Sequence, residues 1–182
     1  MIRWLMWLLG GLVLGGIVHL ATILLLPSTA TRDAYSRLSP MARINSVVAI
    51  PEPAPDRAPL PFMDPAFAAA VCRYDLSNGP LKLSAPLSQA YTSVSFYARN
   101  GVAYYAINDR AAGRRAIELD LMTVQQHNDM PEEEDVTAAD RLIVESPSVT
   151  GLIVLRALAP EPGLMTKARD ALSGAQCKIQ GP

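Results

Sequence analysis

Few side chains in this sequence are of the types that make and break bonds, and their spacing does not gather them. There are two histidines. His19 lies inside an apolar run, so only His127, in the polar stretch Gln125-Gln126-His127-Asn128-Asp129, could serve a Ser-His-Asp or Cys-His arrangement, which needs an imidazole oriented by an acid and within reach of a nucleophile. No GxSxG elbow, HExxH pair, phosphate-binding P-loop or strand-linked GxGxxG occurs. The two cysteines, Cys72 and Cys177, have no second Cys or His at ligand spacing, so no metal site is expected. No catalytic residue is assigned, no cofactor is implied, and nothing in the sequence supports an enzyme.

Two features remain that could bind or brace. Asn108-Asp109-Arg110 is the most polar cluster beside strong β-structure; it could hold an anion or a carbonyl group. The alternative is a turn closed by Asx hydrogen bonds and a local ion pair. Cys72 and Cys177 stand at the two ends of the apparent domain, and in an oxidising compartment such a pair is most simply a disulfide. Closing so long a loop would stabilise by about 4–5 kcal/mol on the chain-entropy account. Two unrelated buried thiols are the alternative.

The dominant element is apolar. The chain has 182 residues, half of them hydrophobic, and a mean hydropathy of +0.18. The excess is local: from Trp4 through Thr31 there is no Asp, Glu, Lys or Arg. About 20 apolar residues span a bilayer, so residues 1–30 are read as a transmembrane anchor with Trp4 and Trp7 at the interface. Ser28-Thr29-Ala30 offers small residues for a signal peptidase, but the apolar run exceeds a signal peptide's core, and an uncleaved anchor is the expectation. Gly11, Gly15 and His19 recur at helical spacing on one side. Small residues four apart let helix backbones approach in lipid, and an ionisable group inside a span tends to face protein; the alternative is the ordinary enrichment of glycine in such helices.

Arg32, Arg37 and Arg43 follow the span while Arg3 precedes it, which taken literally keeps the domain in the cytoplasm. A very short N-tail before a long apolar run is what a translocation signal looks like, and the cysteine pair also points outward. The domain is therefore expected on the non-cytoplasmic side. The net charge of −1 and the lack of basic runs exclude nucleic acid as a partner. Arg114-Arg115 and Glu132-Glu133-Glu134-Asp135 are read as solvated loop faces.

Pro51, Pro53, Pro55, Pro59 and Pro61 mark residues 31–61 as an extended linker, with Thr31 to Leu38 as two further helical turns. The domain, residues 62–182, is expected to be α+β: an antiparallel, sandwich-like sheet closed by a C-terminal helix. Asp64 before Pro65 predicts a short helix from Pro65 to Val71. Asn100-Gly101 predicts a type I′ turn between Thr92–Ala98 and Val102–Ile107, pairing Arg99 with Val102, Phe96 with Tyr105 and Val94 with Ile107. Val94, Phe96, Ala98, Ala103, Tyr105 and Ile107 then share a dry face, opposite Ser93, Ser95, Tyr97 and Tyr104. Leu81–Leu83, Ile117–Leu121, Arg141–Glu145 and a central Leu152–Leu158 are further strands. Leu164, Ala168, Ala171, Leu172 and Ala175 form the stripe of the C-terminal helix.

From about Phe62 to Cys177 the order of features resembles the bacterial domain of unknown function 1254 (DUF1254). The residues that carry it are Asp64-Pro65, Cys72-Arg73-Tyr74-Asp75-Leu76, Gly79 to Leu83, the Tyr91–Ile107 hairpin ending in Asn108-Asp109-Arg110, and Ser146-Pro147 followed by Gly151 to Arg156. The resemblance implies a sandwich-like fold and supplies no activity or catalytic residues. Longer members continue into a domain of unknown function 1214 (DUF1214), whereas this chain stops at Pro182, which suggests a short, membrane-anchored branch. The expected function is an uncharacterised single-pass protein of the bacterial inner membrane with a periplasmic domain, a structural or protein-interaction module of the envelope. Its partners would be the bilayer and either a second copy or a chain carrying a DUF1214-type domain. The rival expectation is a small-ligand binder or enzyme with its site near Asn108-Asp109-Arg110.

Overall fold

The computed structural model of the protein describes residues 1–29, 33–54, 58–112, 116–130 and 142–180. Ala30, Arg114-Arg115, Glu132-Glu133-Glu134-Asp135 and Arg141 lie outside the described residues, and so do the readings attached to them. Helix α1 (Ile2–Thr29) is apolar on every side, and none of its Ile2–Leu26 stretch is buried by the rest of the chain. By length and composition it is, among the described residues, the helix able to cross a membrane. A helix hydrophobic all round needs either a protein interior or lipid as its surroundings, and the fold supplies no interior for this one.

A short helix, α2 (Ala34–Leu38), follows, its N-terminus capped by Asp33, whose carboxylate accepts the Ser36 N–H at 2.7 Å. The strands are β1 (Val47–Ile50), β2 (Phe67–Asp75), β3 (Leu81–Pro86), β4 (Thr92–Ala98), β5 (Ala103–Asn108), β6 (Ala116–Thr123), β7 (Leu142–Ser146), β8 (Thr150–Leu158) and β9 (Gln176–Ile179). They form a five-stranded sheet in the order β1-β2-β8-β4-β5 and a four-stranded sheet in the order β7-β6-β3-β9. Helices α3 (Asp109–Ala112), α4 (Val124–Asn128) and α5 (Met165–Ser173) are the remaining α-helices among the described residues. The class is α+β and the domain a sandwich of two sheets behind an apolar N-terminal helix.

The core lies where the alternating side chains of the two sheets meet: Cys72, Tyr74, Phe96, Ile153 and Leu155 from one, Leu81, Leu83, Ile117, Leu119 and Leu121 from the other. Cys72 and Cys177 are joined in a disulfide, with Cα atoms 6.5 Å apart. It stitches β2 of one sheet to β9 of the other through the buried interior. Ala168 and Leu172 of α5 are buried in the same core, as the predicted stripe requires. β8 is central, flanked by β2 and β4.

Two expectations are corrected here. The fold begins before Phe62: Val47–Ile50 pairs antiparallel with Ala69–Cys72, so residues 31–61 are not a linker throughout. Pro51 and Pro53 follow immediately and confine β1 to the sheet edge, since proline cannot donate to a ladder. Pro65 to Val71 is not a helix; Asp64 instead closes a tight turn by accepting the Ala66 N–H at 2.9 Å. From Phe67 the chain is a strand because β1 and β8 bind both its edges, a tertiary gain that overrides helix propensity. The smaller sheet is mixed, since β6 and β7 run parallel.

The hairpin keeps the expected pairs Phe96–Tyr105 and Val94–Ile107 but not the turn. Ala98 N–H donates to the Val102 carbonyl and Gly101 N–H to the Ala98 carbonyl, both at 2.9 Å. Only Gly101 takes a positive φ, +81°, so this is a three-residue loop rather than a two-residue type I′ turn. Tyr97 consequently opposes Ala103, leaving Tyr104 as the extra residue of a bulge. Ala103, expected on the dry face, is exposed, and Tyr104, expected on the polar face, turns inward.

Candidate functional site

The structure does not bring the predicted polar trio together on one ligand-facing surface. Asn108 ends β5, and its side-chain oxygen accepts the Ala111 N–H at 3.0 Å, opening α3. Asp109 holds one carboxylate oxygen buried without a hydrogen-bond partner, while Arg110 is exposed. Asn108 borders a recess on the outer face of the larger sheet, and Asp109 and Arg110 do not line it. His127 sits on α4 with Nδ1 2.7 Å from the Glu145 carboxylate on β7, bracing two elements. Gly11 and Gly15 lie on α1 where a Cβ would meet nothing within 4 Å; among the described residues, nothing from the domain buries the face they share with His19.

What the larger sheet does build is a recess on its outer face, away from the core. Alternation sends Arg156 of β8, Ser93 and Ser95 of β4, and Phe67 of β2 outward. The cross-strand neighbours of Arg156 are Ala69 and Ser93, too small to cover it. The opening holds about 310 Å³. Phe67 and Tyr91 form one wall, edge to face with ring centroids 6.5 Å apart, and Asn108 with Ala106 and Ala111 the other. Among the described residues, none that lines it is acidic. Sequence reasoning missed Arg156, although a lone charge inside the apolar run Gly151–Leu158 is a signal that the strand presents it on an open face.

The rest of that outer face is covered. Leu38, which ends α2, and Ala42, four residues on, pack on Val71 and Leu152 with Tyr35 and Tyr97 around them. Arg99, at the hairpin loop, pairs with Asp33 at 3.3 Å and lies over the Tyr35 ring at 3.9 Å, so the segment leaving α1 is clasped to the sandwich. Burial raises the Asp33 carboxyl, but hydrogen bonds from Ser36 and the Arg99 guanidinium outweigh it and hold the group below its ordinary value.

Behind the sheet, three hydroxyl groups meet in the core. Tyr74 Oη lies 2.9 Å from Ser146 Oγ, and Tyr104 Oη donates to Tyr74 at 3.2 Å. Ser146 in turn donates to the Ser148 carbonyl at 2.6 Å. Burial pushes the Tyr104 phenol well up, the Ser146 contact works against this, and Tyr74 adds to it. A larger cavity of about 650 Å³ lies between β1, β2 and α5, floored by Val47, Ala68, Ala70 and Leu172, with Arg169 paired to Glu52 at its rim.

A family model described as "Protein of unknown function (DUF1254)" matches residues 45–178, a span that begins beside β1 and ends in β9. Among solved structures, the VPA0106 protein of Vibrio parahaemolyticus aligns over 82% of this chain at 13% identity and a TM-score of 0.59. A putative uncharacterized protein from Burkholderia cenocepacia aligns over 82% at 13% identity and a TM-score of 0.50. The match covers 36% and 39% of those two chains, so the likeness is one of fold. No curated protein matches.

Proposed function

The chain belongs to the DUF1254 family of proteins of unknown function, and from that premise we propose that it is an envelope module anchored by α1 in the bacterial inner membrane, with its sandwich in the periplasm, acting by binding another protein. The observation that carries this reading is the exposure of α1. Its apolar side chains find no place in the domain, while the segment after it is clasped to the sheet by Asp33, Tyr35 and Arg99. The Cys72–Cys177 disulfide supports an oxidising compartment. The face of Gly11, Gly15 and His19 is the proposed helix-packing surface. The partner in this reading is a second copy or a chain carrying a DUF1214-type domain.

The test is a pair of C-terminal reporter fusions, one active only in the periplasm and one only in the cytoplasm, with carbonate washing of membranes. A periplasm-active fusion that resists the wash is expected; a cytoplasm-active fusion, or release by carbonate, overturns the topology. Gly11→Leu with Gly15→Leu should abolish co-purification of the partner in mild detergent, and unchanged assembly rejects the helix face.

One observation favours a second reading, a binder of a small ligand. Asn108 of the predicted trio borders the outer recess, although Asp109 and Arg110 do not line it.

A further inference from the structure

The recess on the outer face of the larger sheet contains an unusual charge. Arg156 stands on the central strand of a five-stranded sheet, where an acidic cross-strand neighbour would stabilise a cation. Its neighbours here are Ala69 and Ser93, and among the described residues it has no ion-pair partner. The polar groups around it, Ser93, Ser95 and Asn108, are neutral. The Asn108 oxygen is already taken by the Ala111 N–H, which leaves its amide as a donor. A guanidinium, two hydroxyls and an amide converge on one hollow whose remaining walls are the Phe67 and Tyr91 rings and the methyl groups of Ala106 and Ala111. The volume of about 310 Å³ is at the small end of ligand sites, roughly 300–1,000 Å³, which combine an apolar lining with a few placed polar groups.

We propose that this recess binds a small organic carboxylate, its oxygens held by Arg156 and the Ser93 and Ser95 hydroxyls and its apolar body against Phe67 and Tyr91. The planar guanidinium fork matches a carboxylate in two parallel hydrogen bonds. The aromatic wall separates this ligand from a bare inorganic anion. The proposal deepens the ligand-binding reading by naming its chemistry, and it is independent of the topology and of the protein partner.

The experiment is calorimetric titration of the full chain in an uncharged detergent with sodium benzoate, benzamide and inorganic phosphate. Backbone chemical shifts at Ser93 and Ser95 locate the site. Saturable benzoate binding in the millimolar range or tighter is expected, with benzamide and phosphate each at least about tenfold weaker, the scale of a lost charge-assisted hydrogen bond. Arg156→Gln should lose about tenfold or more. Arg156→Lys should retain part of the affinity, which separates charge from folding, and Arg110→Gln, outside the recess, should bind as the parent does. Benzamide or phosphate matching benzoate, an Arg156→Gln variant that binds undiminished, shifts confined to another surface, or no saturable binding of benzoate overturns the proposal.

Discussion

The guanidinium carbon of Arg99 lies 3.9 Å from the centre of the Tyr35 ring, so the hairpin loop of the sandwich holds the first turn of the helix that follows the apolar segment. Arg99 also pairs with Asp33, the residue that caps the same helix. The junction after α1 is thus fixed by one side chain reaching from sixty-odd positions further along the chain.

That arrangement predicts a graded loosening. Half-exposed cation–π and ion-pair contacts contribute about 1 kcal/mol or less each, whereas loss of a helix cap costs about 0.5–2 kcal/mol. Arg99→Ala should therefore speed amide hydrogen exchange at Leu38–Ala42 modestly, and Asp33→Ala more so, with the β8 amides unchanged. Because the folded-state carboxyl of Asp33 is lowered, its contribution is present above the unfolded value near 3.9 and is lost as pH falls through the lower folded value. Protection factors at these amides, with intrinsic exchange divided out, should fall in acid in the parent and not in Asp33→Ala; a parent whose protection is flat across that range would refute the clasp.

A second prediction concerns Gly151. A Cβ there would lie 2.3 Å from both the Tyr74 hydroxyl and the Tyr97 carbonyl oxygen. Overpacking in a filled core costs about 1–3 kcal/mol, and a backbone carbonyl cannot step aside, so Gly151→Ala should lower the denaturation midpoint markedly. Adding Tyr74→Phe removes the hydroxyl clash but leaves the ring carbon Cζ, 2.5 Å from the same Cβ, so it should recover a small part of the loss and give a non-additive double-mutant cycle. Strict additivity of the two substitutions would show that the hydroxyl and the glycine are not coupled.

How much of this was legible in advance depended on whether the deciding contact was local. The Phe96–Tyr105 and Val94–Ile107 pairs were readable because alternation and a nearby turn set register within one hairpin. The bulge at Tyr104 was not, since it follows from Asn100 staying out of the left-handed region and from the Tyr74 hydroxyl waiting in another strand. Phe67–Asp75 was hidden behind the helix signal of Asp64-Pro65, because its strand partners are β1, some twenty positions before, and β8, some eighty after. Val47–Ile50 was obscured by the prolines that end it. Arg156 could be seen as a lone charge in an apolar run, but the recess around it exists only because Ala69, Ser93 and Ala106 come from three different strands. The disulfide was legible because two cysteines leave a single pairing.

That disulfide carries the third prediction. It closes a separation of 105 residues and joins the two sheets. Loop-closure entropy on that scale amounts to about 4–5 kcal/mol, a large part of the 5–15 kcal/mol that holds a domain folded. Reduction, or Cys72→Ala with Cys177→Ala, should shift the denaturant midpoint far downward with little change in the reduced double variant when reductant is added. Equal midpoints for oxidised and reduced parent would mean the bond contributes nothing to the folded state.

The last prediction is alkaline. Burial, reinforced by Tyr74 and opposed by Ser146, raises the Tyr104 phenol well above its ordinary value. A raised folded-state value means that the folded protein keeps this proton where the unfolded chain releases it. The associated stability is fully present below the unfolded value near 10 and is lost as pH rises through the folded one. In a spectrophotometric titration the reversible tyrosinate signal of the parent should equal that of Tyr104→Phe, because Tyr104 ionises only as the fold opens. The parent's stability should fall more steeply than the variant's above about pH 10. A reversible signal one tyrosine smaller in Tyr104→Phe would place that hydroxyl in water and contradict the inward turn of the bulge.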